Sequence, residues 1–235
     1  MILDKFPKVL WINLDQSYQR RNHMEILLNR YYLNHTRIRA VDGFNKEELK
    51  RICVPHPFLS QRENACTCSH ILALKYFVEN MEDDRVIVFE DDVSFEFLQY
   101  IPYCWSRFEK ELPDDYGLVQ LAITNDHGDI PCELVKIDPT KKFFCSAAYL
   151  IKKSTAQGLL ERYFSNKSGK IDLALQQYPA ADTMITSVEN VYSIPIFTYL
   201  TTDSIIHPIH LHIHNRSKKR QQKQWIELIK LKNRS

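Results

Sequence analysis

The sequence predicts an α/β fold with a mostly parallel central sheet flanked by helices. Two observations lead to this prediction. Over the first 92 residues, short apolar runs alternate with amphipathic segments in the order strand, helix, strand, loop, helix, strand, which is typical of strands joined by covering helices. The composition, 44% hydrophobic and 26% charged, is that of an ordinary globular protein, and 235 residues suffice for one sizeable domain.

The elements of the first half follow from apolar periodicity and from cap and turn residues. Because KVLWINL is apolar without a helical period, it predicts a buried strand. The predicted order is a strand over residues 8–14, a helix from Ser17 to Tyr32, a strand over residues 36–41 that ends at the Asp42-Gly43 turn, a proline-containing loop, a helix capped by Ser69, and a strand over residues 86–89.

The second half is less regular. Apolar runs predict strands over residues 117–122, 133–137, 143–151 and 190–197, and a helix that begins at Ser154. The sequence contains six cysteines with no CxxC spacing, which we interpret as mostly free, buried thiols.

The segment 216–235 changes composition. It carries eight Lys or Arg residues against one acid, Glu227, and its apolar residues suit one side of a helix. We therefore predict a basic, helical C-terminal tail. It either packs on the domain with a solvated basic side, or makes a peripheral contact with an anionic membrane.

Three acids, Glu90, Asp91 and Asp92, directly follow the strand VIVF. In an open α/β sheet, ligands bind outside the carboxyl ends of the strands. Carboxylates at that edge suit a hard divalent cation, which takes oxygen ligands. The alternative interpretation is a solvated turn.

A second unusual segment is HPIHLHIH, residues 207–214. As an extended strand it would place His210, His212 and His214 on one face, where an H-x-H pair can chelate zinc or manganese. The alternative is a half-buried strand whose histidines bond to loops. Taken with Asp92, the same histidines also suggest a zinc or di-metal hydrolase.

Several phrases together resemble glycosyltransferase family twenty-five, which includes lipopolysaccharide-biosynthesis and procollagen galactosyltransferases and related viral enzymes. The phrases, over residues 8–190, are VLWINLDQSYQRR, RIRAVDG, ACTCSH, VIVFEDDV, SAAYLI and AADTMI. Ala65 replaces the usual glycine of the G-C-x-x-S-H motif, and Leu74 replaces a frequent tryptophan. These departures bear on acceptor specificity more than on reaction type.

The resemblance implies a GT-A-type, nucleotide-diphospho-sugar transferase fold. Residues 1–215 would form one catalytic domain, with a nucleotide-binding half over 1–95 and an acceptor-binding half over 96–215. The implied reaction is transfer of galactose or glucose, with inversion, from a UDP-sugar to a hydroxyl of a glycan or of hydroxylysine in a collagen-like protein. Manganese or magnesium would be the cation. A degenerate module that binds nucleotide sugars without turnover is the non-enzymatic alternative.

The resemblance also implies site residues. Asp92 is the proposed metal ligand, completed by His212 or His214, and Asp182 is the proposed general base, with Asp126 as second choice. The residues expected to meet the nucleotide sugar are Asn13, Leu14, Arg20, Arg21, Asp42, Gly43, Ser69, His70, Glu90 and Asp91.

The remaining expectations concern partners and location. The net charge of +2 does not indicate nucleic-acid binding. The N-terminus lacks the apolar core of a signal peptide, and the chain ends KNRS instead of an ER-retention tetrapeptide. We therefore expect cytoplasmic work, in a bacterium or a virus-infected cell, with an optional peripheral membrane contact.

Overall fold

The structure is a computed structural model. It describes residues 2–125, 132–137, 144–164, 168–200 and 208–232, and in the last range the side chains of residues 211–231. In the first half, the elements are β1 (Val9–Asn13), α1 (Tyr18–Arg30), β2 (His35–Arg39), α2 (Lys46–Ile52), β3 (Cys53–Val54), α3 (Gln61–Asn80) and β4 (Arg85–Glu90).

The second half has shorter elements. They are β5 (Val93–Ser94), a 3₁₀-helix (Glu96–Tyr100), α4 (Trp105–Lys110), β6 (Leu118–Gln120), β7 (Val135–Lys136), β8 (Ala148–Lys152), α5 (Lys153–Tyr163), β9 (Ile171–Asp172), α6 (Ala181–Ile185), β10 (Val191–Ser193), β11 (Thr198–Tyr199) and α7 (Pro208–Lys232).

The central sheet has seven strands in the order β2-β1-β4-β8-β6-β10-β7. Strand β1 is parallel to both β2 and β4, and β6 is parallel to β10. Strand β8 lies antiparallel between β4 and β6, and β7 is an antiparallel edge strand. The predicted α/β fold with a mainly parallel sheet is confirmed.

Alternate residues of the central strands enter two apolar cores, one on each face of the sheet. Trp11 and Phe89 pack on the face covered by α1, α4 and α7, whereas Leu10 and Val88 pack on the face covered by α3 and α5. The uninterrupted apolar runs of β1 and β4 follow from this arrangement, because a strand covered on both faces has no solvent side.

Three sequence expectations are wrong. The helix expected to begin at Ser69 begins eight residues earlier at Gln61, where Ser60 and Glu63 form a reciprocal capping box. The expected loop after Gly43 contains α2, which Asn45 caps. The His-rich segment is helical from Pro208 onward and is not a strand.

Helix α7 packs on the domain, as the first interpretation of the basic tail predicts. Ser217, Gln221 and Trp225 are spaced four residues apart and are fully buried. The Trp225 indole donates to the carbonyl of Pro195 at 2.9 Å, and the Gln221 amide donates to that of Ile123 at 2.8 Å. Within the described ranges, we find no helix with both the length and the apolar character of a membrane span.

All six cysteines are free thiols. Cys53 and Cys68 are buried, and the other four are partly exposed. The expectation that the cysteines are free thiols is therefore confirmed. The expectation that they are buried holds only for Cys53 and Cys68.

Candidate functional site

The parallel strands β1, β2 and β4 end at one edge of the sheet. In the register of the sheet, Asn13 pairs with Arg39, and its neighbour Ile12 pairs with Glu90. The carboxyl ends of these strands are thus adjacent, and the acidic cluster continues from β4 directly into this edge.

Asn13 connects the strands at this edge. Its side chain is buried, and Nδ2 donates to Asp91 Oδ2 at 2.7 Å. Its Oδ1 accepts from Arg37 Nε at 2.9 Å, which fixes the orientation of the amide. Asn13 therefore links the carboxylate of Asp91, which follows β4, to the guanidinium of Arg37 in β2.

Asp91 is also paired with Arg20 of α1. The Arg20 Nη1 to Asp91 Oδ1 distance is 2.7 Å, and the two side chains are only 17% and 11% exposed. Since both oxygens of Asp91 have protein partners, the carboxylate is held in place in this structure. The predicted contact of Asp91 with the nucleotide stays a prediction.

Asp92 differs from its two acidic neighbours. Its Oδ1 is buried and has no hydrogen-bond partner among the described residues. Burial raises the pKa of Asp92 to about 8, the negative charges of Glu90 and Asp91 add to this shift, and Arg20 opposes it. Such an oxygen lacks a positive partner, so the residue fits a cation that takes carboxylate ligands.

Glu90 belongs to a network on the other side of the edge. Its Oε1 accepts from Ser146 Oγ at 2.5 Å and lies 3.2 Å from His70 Nε2. Burial by itself raises the pKa of Glu90, but the hydrogen bonds from His70 and Ser146 outweigh burial and hold it below its usual value. His70 Nδ1 lies 3.0 Å from the Tyr149 hydroxyl, which completes the network.

Ser69 and His70 lie in the third turn of α3 and not at its N-terminus. Ser69 Oγ donates to the carbonyl of Ala65 at 2.7 Å and accepts from the Val41 amide at 2.9 Å. The hydroxyl therefore ties α3 to the loop after β2. Neither residue lies at the helix N-terminus where the sequence placed Ser69, and their contact with the nucleotide sugar remains a prediction.

Arg21 lies beside a charged cluster formed by Asp15, Arg37 and Arg39. Its Nη2 donates to the carbonyl of Asp15 at 3.0 Å, and the Asp15 carboxylate accepts from Arg37 at 2.6 Å and from Arg39 at 2.7 Å. Leu14, which precedes Asp15, is half-buried against the core on the α3 face.

Asp42 and Gly43 lie against the start of α3. The Asp42 carboxylate accepts from the Phe44 amide at 2.9 Å and from Gln16 Nε2 at 3.1 Å. A Cβ atom on Gly43 would lie 2.8 Å from Arg62 Cα, so the backbones approach too closely for a side chain. The predicted turn thus brings the loop after β2 onto α3.

Asp182 lies in the first turn of α6. The N-cap residue of this helix is Ala180, so Asp182 does not cap it. Its carboxylate accepts from the Thr183 amide at 2.8 Å. Burial raises the pKa of Asp182, and the charge of Glu90 adds to the shift, whereas the Thr183 hydrogen bond opposes it.

The His-rich segment presents a different arrangement from the expected strand. His212 is exposed on α7, and the His214 ring packs 4.9 Å from the Tyr199 ring. Because residues two apart on a helix point about 200° away from each other, the shared face needed for an H-x-H chelate is lost. The hydrolase interpretation therefore loses the H-x-H pairs from which it was derived. The roles of His212 and His214 as metal ligands stay predictions, and the side chain of His210 and all of Asp126 lie outside the described residues.

The sequence reasoning assigned no role to Cys66, Ser146 or Tyr149. Ser146 and Tyr149 hold Glu90 and His70, and Cys66, His70 and Glu90 bring one sulfur, one nitrogen and one oxygen within 4.8 Å of one another. The only signals for these residues were the ACTCSH and SAAYLI phrases, which carry no information about their spatial contact.

Comparison with known proteins identifies the family. The model of glycosyltransferase family 25, described as LPS biosynthesis protein, matches residues 6–175, which is more than half of the chain. The chain belongs to glycosyltransferase family 25. The matched range includes β1, α3 and β4 and therefore the whole network around Asn13, Glu90 and Asp92. The sequence matches no curated protein directly.

Solved structures give distant matches to this family 25 glycosyltransferase. A protein from STIV has a TM-score of 0.46 at 11% identity, over 82% of this chain and 83% of that one. The inositol-1-phosphate CTP transferase from T. maritima has a TM-score of 0.40 at 12% identity, over 91% and 78%. The glycosyltransferase GlyE of Streptococcus pneumoniae has a TM-score of 0.42 at 9% identity, over 94% of this chain and 63% of GlyE.

Proposed function

We propose that this glycosyltransferase moves galactose or glucose from a UDP-sugar to a hydroxyl group, with inversion, in a reaction that depends on a divalent cation. The observation that carries the proposal is the unpartnered, buried Oδ1 of Asp92 at the carboxyl edge of the sheet. Ligands of open α/β sheets bind at this edge, and the family acts on sugars.

Asp92 is the proposed ligand of manganese or magnesium. The raised pKa of Asp92 supports this role, because a bound cation would favour the ionised form that burial disfavours. His212 or His214 of α7 is proposed to complete the ligand set. When bound, the cation supplies positive charge next to the departing diphosphate.

The nucleotide sugar is proposed to lie along the ends of β1 and β2. Asn13, Leu14, Asp42 and Gly43 would line its pocket. Arg20 is the proposed partner of the diphosphate, since its guanidinium lies at this edge, is oriented by Asp91 and matches the geometry of phosphate oxygens. Arg21, Ser69, His70, Glu90 and Asp91 are proposed as the remaining contacts.

Asp182 is the proposed general base. An inverting transfer requires a group that takes the proton of the attacking hydroxyl. A carboxylate whose pKa is raised by burial is a stronger base than a solvated one, which supports Asp182 in this role. Asp126 is the second candidate.

The acceptor is proposed to be a glycan hydroxyl, with hydroxylysine of a collagen-like protein as the second class. The proposed place of work is the cytoplasm, where the exposed basic residues of α7, such as Lys219 and Lys223, would allow a peripheral membrane contact.

The test is an assay of UDP release from a panel of UDP-sugars, with manganese and with EDTA. We expect release from UDP-galactose or UDP-glucose that EDTA abolishes. Asp92→Ala should lower the rate at least 100-fold. Asp114→Ala removes an exposed carboxylate that has no role in the proposed site, and it should leave the rate unchanged.

Absence of UDP release with every donor, together with no thermal shift on adding UDP, would refute the transferase proposal. Unchanged turnover in Asp92→Ala would refute the cation assignment alone. Binding of UDP without turnover would instead favour the degenerate binding module.

A further inference from the structure

Cys66 and His70 lie four residues apart on α3, so their side chains share one face of the helix. That face meets the end of β4, where Glu90 lies. The Cys66 sulfur, a His70 ring nitrogen and a Glu90 carboxylate oxygen all lie within 4.8 Å of one another, and Cys66 and Glu90 are partly exposed.

This donor set differs in chemistry from the oxygen site proposed at Asp92. Thiolate and imidazole ligands select zinc over manganese and magnesium, which prefer oxygen. Zinc sites with three protein ligands leave the fourth position to water. Zinc–ligand bonds of about 2.0–2.3 Å place the ligand atoms about 3.5 Å apart, so each side chain would have to move by less than about 1 Å.

The surrounding side chains already support the three ligands. His70 Nδ1 lies 3.0 Å from the Tyr149 hydroxyl, which can accept or donate and therefore serves either tautomer. When Nδ1–H donates to Tyr149, Nε2 gives up its hydrogen bond to Glu90 and presents its lone pair to a metal. Ser146 Oγ holds Glu90 at 2.5 Å. Ligands of metal sites are typically oriented by such outer contacts.

The electrostatics of the cluster favour a cation. The carboxylates of Glu90, Asp182 and Asp92 act electrostatically on the Cys66 thiol, and these negative charges attract a cation. On binding, the thiol proton passes to solvent and a sulfur–metal bond forms.

Cys68, two residues along the helix, has a different environment. It is fully buried in the core on the α3 face, in hydrogen-bond contact with Cys53. Of the two cysteines of the ACTCSH phrase, Cys66 is thus the one at the functional edge.

We propose that Cys66, His70 and Glu90 bind one thiophilic divalent cation of the zinc type. Asp92 is not one of these ligands, and the binding of zinc does not depend on which sugar the enzyme transfers.

The test is equilibrium dialysis of the full chain against zinc in the presence of excess manganese, followed by metal analysis. We expect one zinc per chain, and a zinc affinity at least tenfold lower in Cys66→Ser. Cys104→Ser changes a partly exposed thiol that contacts Ser106 and serves as the matched control, with unchanged affinity. Cobalt in place of zinc should give a thiolate charge-transfer band that Cys66→Ser lacks.

A measurement on the unmodified chain avoids any folding defect of the variant. Zinc should slow the alkylation of Cys66 by iodoacetamide, mapped by mass spectrometry, and leave that of Cys104 unchanged. Unchanged zinc affinity in Cys66→Ser, a persisting cobalt band, or equal alkylation of Cys66 with and without zinc would each overturn the proposal.

Discussion

Asn13 Nδ2 donates to Asp91 Oδ2 at 2.7 Å, and this bond joins the carboxyl ends of two neighbouring strands. The asparagine is buried, and the aspartate is paired on its other oxygen with Arg20. The edge where we propose that the nucleotide sugar binds is therefore organised before any ligand arrives. Preorganised contacts of this kind reduce the free energy needed to order a site on binding.

The first prediction concerns Asn13 itself. Asn13→Ala should lower the free energy of unfolding by about 1–3 kcal/mol, because the shielded Asp91 and Arg37 each lose one hydrogen-bond partner. Urea denaturation gives this quantity. Gln16→Ala removes an exposed amide that bonds to Asp42 and should change it by less than about 0.5 kcal/mol. Equal losses in the two variants would contradict the structural role of Asn13.

The second prediction uses the raised pKa of Asp182. Because the fold disfavours the ionised carboxyl, stability is highest below the pKa of the unfolded chain, about 3.9, and is lost as pH rises through the folded pKa. Asp182→Asn lacks this loss. Its stability relative to the parent should therefore increase from pH 4 to pH 7 in denaturation series, while kcat falls by about 10²–10⁴-fold if the residue is the base.

Asp114→Asn is the control for Asp182, because Asp114 is exposed. We expect no change of its relative stability over the same pH range and no loss of kcat. A loss of stability in Asp182→Asn at pH 7 would contradict the prediction. It would show that other contacts in the folded protein offset the free-energy cost of burying the Asp182 charge.

The third prediction concerns cation binding at Asp92. With a pKa raised to about 8, the carboxylate destabilises the metal-free fold as pH rises toward and through that value. Manganese at pH 7 should therefore raise the melting temperature of the parent, and EDTA should reverse the effect. Asp92→Asn should melt no lower than the metal-free parent and should not respond to manganese. A full manganese response in that variant would place the cation elsewhere.

The fourth prediction compares two glycines. Gly43→Ala should lower the free energy of unfolding by about 1–3 kcal/mol, because its Cβ would meet the backbone of Arg62 at 2.8 Å. Gly158→Ala lies in α5 with open space around its Cβ, and should be neutral or stabilising by up to about 1 kcal/mol. Chemical denaturation measures the free energy of unfolding of both variants. Equal changes in the two variants would contradict the close approach at Gly43.

The fifth prediction concerns the docking of α7. Trp225→Ala should lower the free energy of unfolding by about 3–5 kcal/mol, or release the helix to limited proteolysis, because a buried indole and its bond to Pro195 are lost. Leu231→Ala changes an exposed side chain of the same helix and should do neither. Resistance of both variants to proteolysis, with parental stability, would refute the docking.

The strands at the site were predictable from sequence, and some helix boundaries were not. Strands β1 and β4 are covered on both faces, so their runs of Val, Leu, Ile and Phe are unambiguous. The start of α3 was missed because polar residues occupy its first turn. Ser60 and Glu63 nevertheless carry the spacing of a capping box and were the available signal.

The His-rich segment was misassigned for another reason. Its alternation of histidine and aliphatic residues has the period of a strand, but Pro208 suits the first position of a helix, and the segment continues into a long helix. The strand-like pattern of eight residues was outweighed by the eighteen helical residues that follow it.

At the site itself, the acids were predictable and their partners were not. The EDD cluster stands out beside an apolar strand, whereas Ser146 lies 56 residues from Glu90, and Tyr149 lies 79 residues from His70. Periodicity reports on neighbours along one element, so contacts between distant elements leave no such trace in a single sequence.

Strand β8 has a consequence for how the chain is made. It lies between β4 and β6, although it follows both in the sequence. Tyr149 belongs to this strand, and Ser146 lies just before it. During synthesis on the ribosome, one edge of β4 therefore stays unpaired until β8 has emerged as far as residue 152. The first 95 residues alone would keep that edge open to other strands, so we expect the proposed nucleotide-binding half to aggregate when it is expressed without the rest of the chain.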